Sequence, residues 1–266
     1  MPTLSAIHIF PVKSCAPLTP LEAVVERRGL RHDRRWIVVD AQGRFMTARK
    51  HPRMTRVIAT IDGDALRVEA PGMSPIEVHL EADADARVDV VVWDSALSGR
   101  RADRQSERWI SEYLGQPACF VFMDEPARRA VDPNYARAGD EVSFADGFPL
   151  LLISQSALDA LNERLQSPVP MLRFRPNLVV AGTPAHAEDG WRSIRVGSVA
   201  FDIVKPCSRC VLTTVEPETG SFDPSGEPLR TLISYRRTPA GVMFGQNLIP
   251  RSTGTIALGD AVVVDA

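Results

Sequence analysis

Two cysteines that lie three positions apart are the first feature of this sequence that could do chemistry. Cys207 and Cys210 belong to the stretch KPCSRCVLTTVEPETG, with Arg209 between them and Lys205 just before them. Cationic neighbours favour a thiolate over a thiol, and a thiolate suits a soft transition metal or a persulfide sulfur. The pair could therefore be half of a zinc site, a redox dithiol, or one reactive thiolate with a second cysteine beside it.

The rest of the sequence bears on these alternatives. A structural zinc site needs four ligands, usually from paired motifs, and the chain has no second CxxC and no HxxxH motif. A thioredoxin-type dithiol places its reactive cysteine at a helix N-terminus, whereas the run VLTTV after Cys210 is β-branched and predicts a strand. Both cysteines could also be small buried hydrophobic residues, which is a common role. The basic neighbours favour the reactive thiolate.

Composition bounds the class of protein. The chain has 266 residues, of which 44% are hydrophobic and 24% charged, enough for one large or two modest globular domains. A net charge of -2 argues against a general polyanion binder, so we expect no nucleic-acid partner. No apolar run reaches membrane-spanning length, and the N-terminus lacks signal-peptide features, so we expect a cytoplasmic protein with no membrane partner. Four cysteines are too few for a disulfide scaffold.

The elements that must position these residues are mostly strands. Residues 4–93 contain the short β-type runs AIHIF, LEAVVE, RWIVVD, RFMTAR, RVIATID and ALRVEA, and residues 177–264 contain NLVVAG, SIRVGSVAFDIV, VLTTVE and TIALGDAVVV. Helices are predicted over 103–114, with Asp103 as its cap, over 154–165, and in PLRTLISYRR. The polar stretch MDEPARRAVDPNYARAGDEV predicts a long loop. We therefore predict a mostly β fold with some α, in two linked domains that divide within 103–145.

Seven motifs occur in the order typical of the MOSC family: IHIFPVKSC, GLRHDRRWIVVD, FMTARKHPRM, RFRPNLVV, PCSRCVLTTVEPETG, FGQNL and TGTIALGD. They extend over essentially the whole chain, which resembles in particular the branch of the family that reduces N-hydroxylated compounds. The resemblance implies a MOSC N-terminal β-barrel domain over residues 1–120. It implies a barrel-like MOSC domain with short helices over residues 121–266.

The resemblance also implies a set of site residues. Cys210 would be the catalytic residue and the protein ligand of the metal in a molybdenum cofactor, the Mo–molybdopterin complex. The other implied cofactor-binding residues are Lys13, Ser14, Arg34, Arg175, Asn177, Cys207, Ser208, Arg209 and Asn247. Guanidinium, ammonium and hydroxyl donors are what a phosphate and a pterin require. Asn247 is a departure, because the eukaryotic members of the family more often carry an aromatic residue there. The family is also associated with pyridoxal phosphate binding.

Two functions are compatible with these residues. The resemblance implies a reductase that converts the N–OH group of a small N-hydroxylated substrate to N–H. No glycine-rich dinucleotide motif, CxxCH haem motif or plant-type iron–sulfur spacing occurs in the sequence. We therefore expect separate electron-donor proteins, a flavin reductase with or without a ferredoxin or cytochrome. The alternative is a carrier of persulfide sulfur or of molybdenum cofactor, without turnover of its own.

Overall fold

Strands make up most of the regular structure in the computed structural model, which describes residues 1–62, 65–80 and 86–265. In chain order the strands are β1 (Thr3–Ile7), β2 (Glu22–Glu26), β3 (Gly29–Leu30), β4 (Trp36–Asp40), β5 (Ile58–Asp62), β6 (Ala65–Glu69), β7 (Ile76–Val78), β8 (Arg87–Val92), β9 (Ser95–Arg101), β10 (Ala118–Phe122), β11 (Leu150–Ser154), β12 (Leu178–Ala181), β13 (Ser193–Val196), β14 (Val199–Arg209), β15 (Val215–Glu216), β16 (Ser221–Phe222), β17 (Arg237–Thr238), β18 (Gly241–Pro250), β19 (Gly254–Ala257) and β20 (Val262–Asp265). The predicted fold class, mostly β with some α, is confirmed.

Helices are short and begin and end close to where the sequence places them. They are the α-helices α1 (Arg104–Leu114), α2 (Gln155–Asn162) and α3 (Leu229–Arg236), and the 3-10 turns Pro52–Arg56, Met171–Phe174, Ala187–Gly190 and Val211–Thr214. The carboxylate of Asp103 accepts from the backbone N–H groups of Gln105 and Ser106, and Gly115 ends α1 with a φ of 71°. Across the described ranges, no helix is long and apolar enough to cross a membrane.

The largest sheet is a nearly closed barrel. Its strand order is β1-β12-β11-β18-β14-β13-β20, with β17 paired to β18 beside this path. The two ends of the order approach one another, because the N–H of Leu4 donates to the carbonyl of Asp260 at 2.9 Å and Val262 donates to Pro2 at 2.9 Å. Phe201 and Leu248 fill the interior without solvent exposure. The first strand of the chain therefore completes a barrel whose other strands all follow residue 149.

The remaining strands form smaller sheets that extend the fold from this barrel. One has the order β4-β10-β9-β8, a second the order β5-β6-β7, and a third the order β19-β2-β3. Helix α1 packs against β10, and its Trp109, Ile110 and Tyr113 are buried there with Phe120. Both β1 and β2 pair with strands that follow residue 121. The division at 120/121 stays a prediction, and these two pairings connect its two sides.

Four predictions of element position or extent were wrong. The run RFMTAR forms no strand; Phe45 and Arg44 make only isolated bridges to Val39 and Val91. VLTTVE is not a continuous strand either, because Val211–Thr214 is a 3-10 turn that precedes the two-residue β15. The first predicted strand, AIHIF, lies about three residues further toward the N-terminus, as β1. Helix α2 ends at Asn162 rather than at residue 165.

Candidate functional site

One cleft contains all ten residues that the sequence implicated. Its lining includes Lys13, Ser14, Arg34, Arg175, Asn177, Cys207, Ser208, Arg209, Cys210 and Asn247. Residues up to Arg34 come from the N-terminal part of the chain, and the others come from the large barrel and its loops. Side chains that are up to 234 positions apart in sequence therefore meet at one place (247 minus 13). We call Lys13, Ser14, Arg34, Arg49 and Arg175 the basic wall, and Cys207, Ser208, Arg209 and Cys210 the thiol wall.

The guanidinium groups of the basic wall are held in place by their neighbours. Arg34 donates to the buried carboxylate of Asp33 at 2.6 Å and to the carbonyl of Arg175 at 3.3 Å. Arg175 donates to the carbonyl of Cys15 at 2.8 Å. The Cζ atoms of Arg34 and Arg175 lie 4.3 Å and 4.1 Å from the centre of the Phe10 ring. One aromatic ring thus supports two like charges side by side.

Asn177 connects the N-terminal residues of the cleft to strand β11 of the barrel. Its side-chain oxygen accepts from Arg34 at 3.0 Å and from the N–H of Leu151 at 3.2 Å, while its amide nitrogen donates to the carbonyl of His8 at 3.0 Å. Because Asn177 is 1% exposed and its side chain makes three hydrogen bonds, it orients Arg34 as well as lining the cleft.

Lys13 is the buried cation of the basic wall. Its Nζ donates to the carboxylate of Asp146 at 2.6 Å and to the carbonyl of Phe144 at 2.7 Å. Burial lowers the pKa of Lys13 to about 8, although the Asp146 charge opposes that shift. The recessed position of Asp146 in the cleft works against its ionisation, although the side chain itself is 59% exposed. Lys13, with Arg49 and Arg34, outweighs that effect and holds the pKa of this carboxyl well below its usual range.

Three residues of the basic wall have a left-handed backbone. The φ angles of Ser14, Arg34 and Arg175 are 71°, 49° and 57°. This region is unfavourable for residues other than glycine, by about 1–3 kcal/mol each, and it persists only where the surroundings enforce it. Backbone hydrogen bonds do so here: Arg34 donates to the carbonyl of Phe10 at 2.7 Å and Arg175 to that of Leu172 at 3.2 Å. Such strain is typical of binding sites.

The thiol wall is the end of β14, and an irregularity in the neighbouring strand lies opposite it. Pro206 pairs with Gln246 and Ser208 with Met243, so two residues of β18 face Cys207 alone. One of the two is Gly245, which has a φ of 82°; a Cβ there would lie 2.7 Å from the carbonyl oxygen of Leu152. A side chain at residue 245 would therefore displace the strand against which Cys207 is set.

Cys210 is the more open of the two cysteines. It is exposed, whereas Cys207 is half-buried, and it immediately precedes the 3-10 turn Val211–Thr214. Arg209 lies between them and donates to the Cys207 Sγ at 3.0 Å and to the carbonyl of Phe174 at 2.6 Å. The cation next to the thiols is therefore directed at Cys207, and Cys210 is left open toward the cleft.

The other two cysteines are unsuited to chemistry. Cys15 and Cys119 are both buried. Burial raises the pKa of the Cys15 thiol to about 12 in spite of the nearby Arg175 charge, and it raises that of Cys119 to about 11. Both thiols stay protonated near neutral pH. The reactive sulfur of this protein is thus confined to the thiol wall.

The charge of the cleft suits an anion. Five cations line it, namely Lys13, Arg34, Arg49, Arg175 and Arg209, against the carboxylate of Asp146. The Nε atoms of Arg49 and Arg209 are buried without a hydrogen-bond partner in the described ranges. A buried donor without a partner is costly, and a bound polar group would satisfy it. The residues present therefore fit a phosphate-bearing ligand. Within the part of the chain described, no three His, Cys, Asp or Glu side chains are grouped to hold a metal ion.

Sequence reasoning missed three residues of this site. Arg49 and Asp146 line the cleft, and Arg129 lies behind it, bonded to the loop that carries Asp146. Arg49 occurs inside a family-type motif, FMTARKHPRM, so a signal for it existed. Asp146 is in the segment ADGFP, which has no recognisable pattern, and Arg129 belongs to the long loop. Only the folded chain brings these two residues to the site.

Known proteins match this chain along almost its full length. Family models described as the MOSC N-terminal beta barrel domain and the MOSC domain match residues 1–117 and 139–263. Mitochondrial amidoxime-reducing component 1 is 34% identical in Xenopus laevis, over 97% of this chain and 81% of that protein, and 34% identical in Homo sapiens, over 98% and 82%. Molybdenum cofactor sulfurase of Oryza sativa subsp. japonica is 31% identical over 91% of this chain and 32% of its own length. This chain belongs to the family of proteins that combine the MOSC N-terminal β-barrel domain with the MOSC domain.

Proposed function

We propose that this protein is a molybdenum-cofactor-dependent oxidoreductase that reduces small N-hydroxylated compounds. The observation that carries the proposal is the meeting of all ten residues implied by the resemblance in one cleft, whose lining includes five cations and the exposed Cys210. The similarity to amidoxime-reducing components supports the substrate class. Reduction of an N–OH group takes up two electrons and two protons and yields N–H and water.

The basic wall is suited to hold the phosphate of the cofactor. Lys13, Arg34 and Arg175 supply charge, and the hydroxyl of Ser14 supplies a further donor. Neighbouring groups fix both guanidinium groups before any ligand binds, so little side-chain entropy is lost on binding. Asn177 keeps Arg34 in place through its side-chain oxygen.

The thiol wall is suited to hold the metal. When bound, the molybdenum cofactor supplies two-electron oxygen-transfer chemistry. Cys210 is the ligand candidate because its sulfur is exposed and carries no hydrogen bond from Arg209, which donates to Cys207 instead. Cys207, Ser208 and Asn247 border the same space and would orient what lies next to the metal.

The electrons would come from separate proteins. The sequence has no dinucleotide, haem or iron–sulfur motif, as described above. We propose a flavin reductase, with or without a ferredoxin or cytochrome, in a transient contact of the small size typical of redox encounters.

Assays of the molybdenum-loaded protein with an amidoxime or hydroxylamine test this function. NAD(P)H alone should give no turnover, and reduced viologen or an added reductase chain should start it. Bound molybdenum and pterin are measured on the same sample. Turnover with NAD(P)H and no second protein would refute the separate-donor proposal.

A second function, transport of cofactor or persulfide sulfur, has two observations in its favour. Cys210 is exposed, and the chain is similar to a molybdenum cofactor sulfurase. Full molybdenum occupancy without turnover under any low-potential reductant would favour this carrier role, as would sulfane sulfur bound in place of molybdenum.

A further inference from the structure

One carboxylate lies among the cations of the cleft. Asp146 accepts from Lys13 at 2.6 Å through Oδ1 and from Arg49 at 3.1 Å through Oδ2. Its two oxygens therefore take up the positions at which a bound anion would contact both side chains. The Asp146 side chain is 59% exposed, whereas Lys13 is 6% exposed and Arg49 is 26% exposed. The carboxylate is thus at the open side of the basic wall, with its partners behind it.

The backbone that carries Asp146 is held by hydrogen bonds from buried side chains. Arg129 is 7% exposed and donates to the carbonyls of Ser143, Ala145 and Asp146. Lys13 adds a hydrogen bond to the carbonyl of Phe144. The hydrogen bonds from Arg129 all go to backbone carbonyls of this loop and not to the Asp146 carboxylate, so the carboxylate can leave Lys13 and rotate toward solvent while Arg129 holds the loop in place.

Displacing this carboxylate has a cost that depends on the ligand. A small anion would have to replace Asp146 on Lys13 and Arg49 and would also lie close to the displaced charge. Like charges in contact disfavour binding. A larger ligand that bears a phosphate reaches Arg34, Arg175 and the thiol wall as well, and those contacts offset the displacement.

We propose that Asp146 is a resident counter-ion that the phosphate of the ligand displaces from Lys13 and Arg49, and that it thereby selects large phosphate-bearing ligands over free inorganic anions. The inference deepens the proposed function and rests on it for the identity of the large ligand. Asp146 is a specificity-determining residue in this account, and it takes part in no chemical step.

Calorimetric titration of the cofactor-free full-length chain with inorganic phosphate tests this. Asp146→Asn keeps the shape of the side chain and removes its charge, and we expect phosphate to bind at least about tenfold more tightly than to the unmodified protein. Asp124→Asn is the matched control, because Asp124 pairs with Arg87 at 2.7 Å and does not line the cleft. It should leave phosphate binding unchanged.

A second substitution tests whether the more tightly bound phosphate occupies the position of the Asp146 carboxylate. Adding Lys13→Met to Asp146→Asn should abolish the tighter phosphate binding if the anion occupies the position of the carboxylate. Asp146→Ser, which lacks the amide donors of asparagine, should also gain affinity if charge removal is the cause. Unchanged or weaker phosphate binding in both Asp146 variants, with thermal unfolding like that of the unmodified protein, overturns the proposal.

The outcome is separable from that of the proposed function. Phosphate titration needs neither molybdenum nor turnover. If the protein reduces N-hydroxylated compounds but Asp146→Asn does not bind phosphate more tightly, the proposed function is supported and the counter-ion role is refuted. If Asp146→Asn binds phosphate more tightly but the molybdenum-loaded protein reduces no N-hydroxylated compound, the counter-ion role is supported and the reductase function is refuted.

Discussion

The two walls of the cleft are built in opposite ways. On the basic wall Lys13 is buried, Arg34 and Arg175 are engaged by neighbours, and the backbone is left-handed at three positions. On the thiol wall Cys210 is exposed, and its backbone is extended, with a φ of -130°. A wall whose side chains are already ordered before the ligand binds suits the part of a ligand that is bound but does not react. An open wall suits the part where a substrate must enter and leave.

The largest effect should come from the open wall. Cys210→Ser should reduce N-hydroxy reduction by more than about 100-fold, because a hydroxyl is a poor ligand for a soft metal and even residues behind a metal ligand cost 10–100-fold. Cys207→Ser, the matched control three positions away, should keep measurable activity. Steady-state rates are compared per bound molybdenum. An active Cys210 variant beside an inactive Cys207 variant would reverse the ligand assignment.

The thiols of the cleft should also differ from the buried ones in reactivity. Cys210 and then Cys207 should be alkylated by iodoacetamide at pH 8. Cys15 and Cys119, whose pKa values are raised by burial to about 12 and about 11, should react more than about 100-fold more slowly. Mass spectrometry of peptides gives the order. Early alkylation of Cys15 would mean that the basic wall opens in solution.

The basic wall should determine how much cofactor the protein retains. Arg175→Ala and Arg34→Ala should each lower cofactor content about 10- to 100-fold, since a hydrogen bond to a charged group contributes about 1.5–3 kcal/mol. Arg175→Ala is the cleaner variant, because Arg34→Ala leaves the buried Asp33 without this partner. Arg87→Ala, outside the cleft, is the control. Full cofactor content in both cleft variants would remove these residues from the site.

Local signals determined most of what could be predicted. The caps of α1 and α2 are next to the residues that they stabilise, so the sequence is sufficient to place both helices. VLTTVE failed because Thr213 and Thr214 donate their hydroxyls to the carbonyls three residues earlier, at 2.9 Å and 2.8 Å. Those bonds compete with strand pairing. RFMTAR failed because a strand needs neighbours along its length, and this run has two isolated bridges.

The site residues that belong to family motifs could be predicted from the sequence, and those outside the motifs could not. All ten implicated residues line the cleft. Asp146 could not be found, because its significance depends on Lys13, which is 133 positions away in sequence. No periodicity or turn signal encodes that contact. Arg129 likewise acts through carbonyl groups, which every residue has.

The smallest expected effect is on the pH dependence of anion binding at the basic wall. Burial lowers the pKa of Lys13 to about 8, so raising the pH from 7 to 8.5 removes most of its charge. Sulfate, whose own charge is constant in this range, should bind about fourfold more weakly at pH 8.5. The groups that face Lys13 keep their charge: Asp146 has a depressed pKa, and Arg34 and Arg129 are guanidinium groups.

The sign follows from linkage. A bound anion stabilises protonated Lys13 and raises its pKa, so binding near pH 8 takes up a proton, and affinity falls as the pH rises.

Calorimetry on the Cys207→Ser/Cys210→Ser chain, in buffers of different ionisation enthalpy, measures affinity and proton uptake together without a contribution from the thiols. Burial lowers the pKa of Arg175 to about 9, so this group loses only a small part of its charge by pH 8.5. Lys13→Met should therefore make sulfate affinity weak and leave a decline of at most about 1.3-fold from pH 7 to 8.5. A fourfold decline that persists in Lys13→Met would assign the titration to another group, and the buried lysine would then not be what distinguishes the basic wall from the thiol wall.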